Sequence, residues 1–307
     1  MQTTIRTSVS FSGIGLHTGE PVRMTIHPAS AEYGIWFRRT DVVGVDPMVP
    51  AHWNAVTDAT LCTLVSNASG VSVSTIEHLM AALAGCGVHN ALVELDGPEV
   101  PILDGSAAPF AAAILSRGLR RLDAPLRCFE ILKPVEVRQG EAVARLEPSE
   151  MPEIDFTIDF ADAAIGRQQR RLSVANGAFL RELSDCRTFC RQSDVQAMLA
   201  RGLARGGRPG ENAVVFDGDR IVSPGGLRRI DEPVRHKMLD ALGDLALAGA
   251  PIIGRYVGVR SGHAMTNRLL RAVFADPTAY RLRDCDAALL SRLPGTNVAP
   301  SDIPAVA

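Results

Sequence analysis

The chain has 307 residues, 46% of them hydrophobic, enough for one large core or two of medium size. Its 32 basic and 34 acidic residues nearly balance, which gives no electrostatic footing for nucleic acid or for a strongly anionic membrane surface. No run approaches the ~18 consecutive apolar residues of a membrane span. The first residues lack the order of a secretory signal, and six cysteines without a CxxC pair read as free thiols in a reducing cytoplasm.

Short β-like runs over 22–27, 34–38, 61–65 and 91–96 alternate with helices over 77–84 and 107–117. Leu122, Asp123, Ala124 and Pro125 read as a linker closing a first α+β domain at 1–124. Strands over 129–138, 142–147 and 154–160, a helix over 231–249 and a strand over 252–259 make a second domain over 125–285. Strands come before helices in each half, which predicts α+β rather than a doubly wound sheet. HLMAALAG and HKMLDALGD each set a histidine near a helix start with a strand shortly after. This echo places the two histidines at a domain interface, where small-molecule sites form readily. The tail, 286–307, is rich in Pro, Ala and Ser and is expected to be flexible.

Two stretches carry chemistry. In VRHKMLDALGD, His236, Asp240 and Asp244 recur every four residues and share one helix face, with Asp231 as N-cap and Gly249 at the far end. Imidazole nitrogen and carboxylate oxygen are zinc donors, although such a pair is more often a solvated surface contact. In STIEHLMAAL, Ser74 and Glu77 have capping-box spacing. The functional alternative makes His78 a third ligand and Glu77 a general base. HExxH is absent, so such a site must join segments about 160 residues apart in this chain. All but two of the basic residues are arginine, and one of the two lysines, Lys237, sits beside His236.

SGIGLHTG (12–19), STIEHLMAALAG (74–85), PILDGSAAPF (101–110), CRTF (186–189), RHKMLDALGDL (235–245) and SGHAMTN (261–267) occur in this order. Together the chain resembles the bacterial UDP-3-O-acyl-N-acetylglucosamine deacetylases, the zinc amidases of lipid A biosynthesis. The resemblance implies two layered α+β domains of similar topology with the active site at their interface. It implies one Zn2+ per chain, Fe2+ being the alternative, held by His78, His236 and Asp240, with Glu77 as base. His263, oriented by Asp244, becomes the proton donor to the departing amine, and the Thr188 hydroxyl faces the oxyanion. Lys237 adds positive charge or holds substrate. A scheme using Glu77 alone for both proton transfers stays open beside the favoured acid–base pair.

The implied substrate carries a fatty acyl chain. Val195, Met198, Leu199 and Leu203 form one helical stripe in an insert near 191–217, a core pattern by periodicity and an acyl passage by resemblance. Phe189 would guard its entrance. Asp159 and Phe160 match a segment that contacts the nucleotide, and His17 is assigned to the substrate surface. Cys190, Arg208-Pro209-Gly210 and Arg268 depart from the family pattern. The expectation is a cytoplasmic monomer with a small-molecule substrate, no nucleic acid and no stable membrane insertion. Rival readings are a zinc amidohydrolase with another amide substrate and a non-catalytic nucleotide-sugar-binding scaffold.

Overall fold

The computed structural model describes residues 1–305. Its frame is two five-stranded sheets. The first runs Val9–Ile14, Pro21–Pro28, Ala91–Leu95, Ile35–Arg39, Met48–Pro50. The second runs Val135–Gln139, Ala142–Glu147, Arg255–Val259, Glu153–Asp159, Arg167–Ser173. Both follow one pairing order across the sheet: antiparallel, antiparallel, parallel, antiparallel. Strand alternation explains which faces are buried. Val22, Met24 and Ile26 point into the core from the first sheet, as do Ile154, Phe156 and Ile158 from the second.

The helices are α1 (Glu77–Cys86), α2 (Ala108–Arg117), α3 (Ala178–Glu182), α4 (Gln192–Ala200), α5 (Glu232–Ala246), α6 (His263–Ala275) and α7 (Ala287–Leu290). In each half the middle strand of the sheet follows one long helix and precedes another: α1 and α2 in the first half, α5 and α6 in the second. We propose that the halves are domains meeting at 122–125. Thr3–Ile5 pairs with Leu119–Arg121 and draws the end of the first half back to its beginning. α5 packs on the second sheet and α1 packs on α5. One apolar core runs from Met24 and Phe37 through Leu79 and Leu239 to Phe156 and Tyr256.

The sequence-based elements need adjustment in several places. The run 129–138 is two strands, Arg127–Ile131 and Val135–Gln139, parted at Pro134, which has no N–H to give a ladder. The run 252–259 divides at Gly254. SGIGLHTG is half strand, since Val9–Ile14 is an outer strand of the first sheet. Neither α6 nor the arginine-rich edge strand Arg167–Ser173 was expected. The tail packs on the rest of the chain as far as Ile303, with Leu289 and Leu293 buried against Leu126, Cys128 and Ile253, where a flexible end was expected; residues 306–307 of that expectation lie outside the described residues.

Candidate active site

α1 and α5 are buried on nearly every side, so their polar residues face protein rather than water. The Ser74–Glu77 capping box does not form. Ser74 Oγ donates to the Pro98 carbonyl, and α1 has no side-chain cap. Asp231 does not cap α5 either; its carboxylate takes Arg235 and Arg170 instead. Freed from capping, Glu77 Oε2 accepts the backbone N–H of Thr63 (3.0 Å).

His78, His236 and Asp240 converge: one donor atom from each lies within 4.8 Å of the others, and all three residues are buried. Asp240 Oδ1 stands 3.2 Å from His236 Nε2 and 3.5 Å from His78 Nε2. Its other oxygen, Oδ2, accepts from Lys237 Nζ at 2.7 Å. His236 Nδ1 lies 3.0 Å from the Cys186 carbonyl, which can only accept, so the ring proton sits on Nδ1 and Nε2 is bare. Burial lowers the His236 pKa to about 4, keeping the ring neutral. Burial opposes ionisation of Asp240, but His236 and Lys237 beside it hold its carboxyl well below the usual range. Oδ1 is nevertheless buried with no hydrogen-bond partner. An orphaned carboxylate oxygen facing a bare imidazole lone pair costs free energy unless a cation joins them. Two imidazole nitrogens and one carboxylate oxygen are the donor set of an open hydrolytic zinc-type site. The residues fit a divalent cation.

Beside this cluster stands a second pair. His263 begins α6 and directs Nδ1 to Asp244 Oδ2 (2.9 Å); Asp244 Oδ1 accepts the Thr63 hydroxyl (2.6 Å). His263 Nε2 then lies 3.8 Å from Glu77 Oε1 and 3.9 Å from Asp240 Oδ2. Burial works against a charged His263, yet the Asp244 and Glu77 carboxylates overcome it and raise the pKa to about 9. Burial raises the pKa of Glu77 as well. Burial also opposes the Lys237 charge, but Asp240, with Asp244 and Glu77 behind it, holds the ammonium above its ordinary value. The Cys62 thiol is pushed up to about 12 by burial and by Glu77, so it is no nucleophile.

Thr188 is half-buried, its N–H donating to the Gly105 carbonyl and its own carbonyl accepting from Val214. Arg187 anchors this segment through a buried pair with Glu232, Nε to Oε1 at 2.9 Å. Phe189 stands edge-on to His236 (ring centroids 6.3 Å apart) and to Phe160 (5.6 Å), so Phe189 lies beside the cluster and Phe160 packs on Phe189. Asp159, expected to contact the nucleotide, forms an exposed ion pair with Arg260 (2.6 Å). The insert is a helix between short strands: Phe189–Arg191 pairs with Val214–Asp217, which pairs with Arg220–Ile221. α4 ends at Ala200, and Leu203 folds back to donate its N–H to the Met198 carbonyl, so the four-residue stripe is not one helix face. None of α4 is buried and Leu199 is 51% exposed, which removes the core reading of Met198 and Leu199. Both His17 ring nitrogens are buried without partners. A cavity of about 770 Å³ lies elsewhere, lined by Met80, Leu83, His89, Leu242, Leu245 and Tyr256; none of His78, His236, Asp240, Glu77, His263 and Asp244 lines it.

Sequence reasoning missed Thr63, which holds Glu77 through its N–H and Asp244 through its hydroxyl. No spacing rule marks such a residue, 14 positions from one partner and 181 from the other. The Cys186 carbonyl, which orients His236, was likewise invisible.

A three-donor cluster with an adjacent carboxylate and a carboxylate-held histidine, on a duplicated α+β frame, defines a metal-dependent hydrolase. Comparison with known proteins narrows the class. Residues 2–275 match the family described as UDP-3-O-acyl N-acetylglycosamine deacetylase, and the chain belongs to that family. The UDP-3-O-acyl-N-acetylglucosamine deacetylase of Phenylobacterium zucineum is 52% identical over 282 residues, covering 92% of this chain and 96% of that protein. Proteins of the same name from Anaeromyxobacter sp. (46%, 92% of this chain and 91% of theirs) and Stenotrophomonas maltophilia (45%, 91% and 92%) match almost as far. No described helix is long and apolar enough to cross a membrane.

Proposed function

We propose that this chain hydrolyses the N-acetyl group of UDP-3-O-acyl-N-acetylglucosamine, releasing acetate and the free amine, the committed step towards lipid A. The observation that carries the reading is the buried His78–His236–Asp240 cluster with Glu77 and His263 beside it. The family's names supply the substrate. When bound, the cation, Zn2+ with Fe2+ the alternative, supplies Lewis acidity to water and to the amide carbonyl.

Glu77, its Oε2 occupied by Thr63, offers Oε1 to accept a proton as water attacks. His263, its Nδ1 held by Asp244, carries a proton on Nε2 for the departing amine. We favour this acid–base pair over a scheme using Glu77 alone, because His263 Nε2 and Glu77 Oε1 stand 3.8 Å apart, each with its other ring or carboxylate atom already held by a partner. Thr188 is assigned to the oxyanion and Lys237 to supporting charge near Asp240. Phe189 and Phe160 form an aromatic wall, and Met198, Leu199 and Leu203 meet the acyl chain. His17 is kept as a substrate contact on its unpartnered ring, and Asp159 as a nucleotide contact only if its pair with Arg260 opens. A cytoplasmic monomer acting on a soluble small molecule completes the proposal.

The test is acetate release from the acylated UDP-sugar and from its unacylated counterpart, before and after chelation. The acylated form should be preferred and chelator should abolish turnover; activity indifferent to both would overturn the reading. Glu77→Ala should keep its metal yet lose ~10²–10⁴-fold in kcat, the range for a general base. His236→Ala should lose the metal itself, measured by elemental analysis.

A further inference from the structure

The glycine-spaced turn SGIGLHTG takes no part in the proton transfers above, yet one buried carboxylate ties it to them. Glu99 is 1% exposed and collects four donors. Oε1 accepts the N–H of His17 (2.9 Å) and the hydroxyl of Thr75 (2.8 Å). Oε2 accepts the N–H (2.9 Å) and the hydroxyl (2.8 Å) of Thr18. The glycine spacing makes room for this carboxylate, since a Cβ on Gly15 would fall 2.2 Å from Oε2.

Thr75 has a φ of +57°, a left-handed conformation that β-branched residues avoid. Such strain persists only where surrounding bonds over-determine it. Thr75 lies two residues before Glu77, so its backbone sets the direction in which α1 sets out. Its neighbour Ser74 is pinned to the Glu99 segment on both sides, Ser74 N–H to the Pro98 carbonyl (2.9 Å) and Val100 N–H to the Ser74 carbonyl (3.1 Å). Across the turn, the carbonyls of Leu16 and His17 accept from Gly206 (3.0 Å) and Arg205 (3.3 Å), at the far end of the insert.

We infer that Glu99 is a positioning residue, a buried clamp that holds Thr75 left-handed and so aims Glu77 and His78, while fixing the His17 turn beneath the insert. It rests on the assignment of His78 as ligand and Glu77 as base. Four donors converging on one group demand a carboxylate. An amide would set its own NH2 against two of them.

Glu99→Gln keeps the shape and loses that match; Thr75→Val removes the hydroxyl at equal size; Thr75→Ser keeps it. The experiment measures Zn2+ affinity of the metal-free protein by chelator competition, together with kcat. Glu99→Gln and Thr75→Val should each weaken Zn2+ binding and lower kcat by roughly 10–100-fold, the range for partners that orient a ligand. Thr75→Ser should stay near the parent, and the Glu99→Gln/Thr75→Val double variant should be no worse than the poorer single one. Variants that bind Zn2+ and turn over like the parent, or losses that multiply in the double variant, overturn the clamp while leaving the ligand set intact. A parent chain without Zn2+ affinity overturns both.

Discussion

Asp240 and Asp244, one turn apart on α5, sort two histidines into opposite states. Asp240 faces His236, whose Nδ1 is already committed to the Cys186 carbonyl and whose ring stays neutral. Asp244 faces His263 Nδ1 at 2.9 Å and keeps that ring charged. The pH dependence follows from the sign of that charge. A proton donor works below its pKa, and removing a neighbouring negative charge lowers that pKa. Asp244→Asn should therefore move the alkaline limb of the kcat/KM profile to lower pH and reduce the plateau; a limb that stays in place would remove His263 as the acid. His78, His236 and Asp240 were legible because ligand chemistry favours few residue types and helix spacing is local. Thr63 was not, since an ordinary hydroxyl acquires meaning only when folding brings two distant carboxylates to it.

At the scale of elements, the site depends on how closely α1 approaches α5. A Cβ on Gly243 would stand 2.0 Å from the Glu77 carbonyl oxygen, so the helices meet at backbone contact beside the Glu77 carboxylate proposed as base. Alanine is worth about 1 kcal/mol more than glycine inside a free helix. Here that gain is overridden, because overpacking a tight contact costs about 1–3 kcal/mol. Gly243→Ala should therefore lower the urea midpoint and cut turnover, despite the better helix former. A midpoint equal to the parent's would show that the helices can part without cost. Periodicity located both helices to within a few residues. It could not give their separation, which is written in a single glycine on one and the backbone of the other. Capping was misread for a related reason. Ser74 and Asp231 have capping chemistry, but tertiary partners, the Pro98 carbonyl and two arginines, hold those side chains instead.

Across the whole molecule, two sheets of one pairing order bring two equivalent helices together, and the tail straps the result. The faint echo between HLMAALAG and HKMLDALGD was the visible trace of that duplication. The tail was illegible because its composition is that of a loose end, and its anchors are single contacts on both halves. Leu289 and Leu293 enter a small cluster with Leu126, Cys128 and Ile253. Asp302 pairs with Arg181 at 2.8 Å. A Cβ on Gly295 would lie 2.2 Å from the Cα of Gly87, the left-handed residue that ends α1. The strap thus presses on the end of α1 opposite Glu77, about 15 Å away at 1.5 Å per residue. Deleting 287–307 removes two buried leucines, Leu289 and Leu293, whose burial is worth about 1.5–3 kcal/mol each as an upper bound, and uncovers the residues they pack on. The melting temperature should fall by up to roughly 6–24 °C, taking about 2–4 °C per kcal/mol for a chain of this order. Below that lower melting point kcat should remain within a few-fold of the parent, because no described tail residue bonds to Glu77 or His263. An unchanged melting temperature would show that the strap carries no stability, whereas a kcat lost without a change in melting would show that it acts on the site through α1.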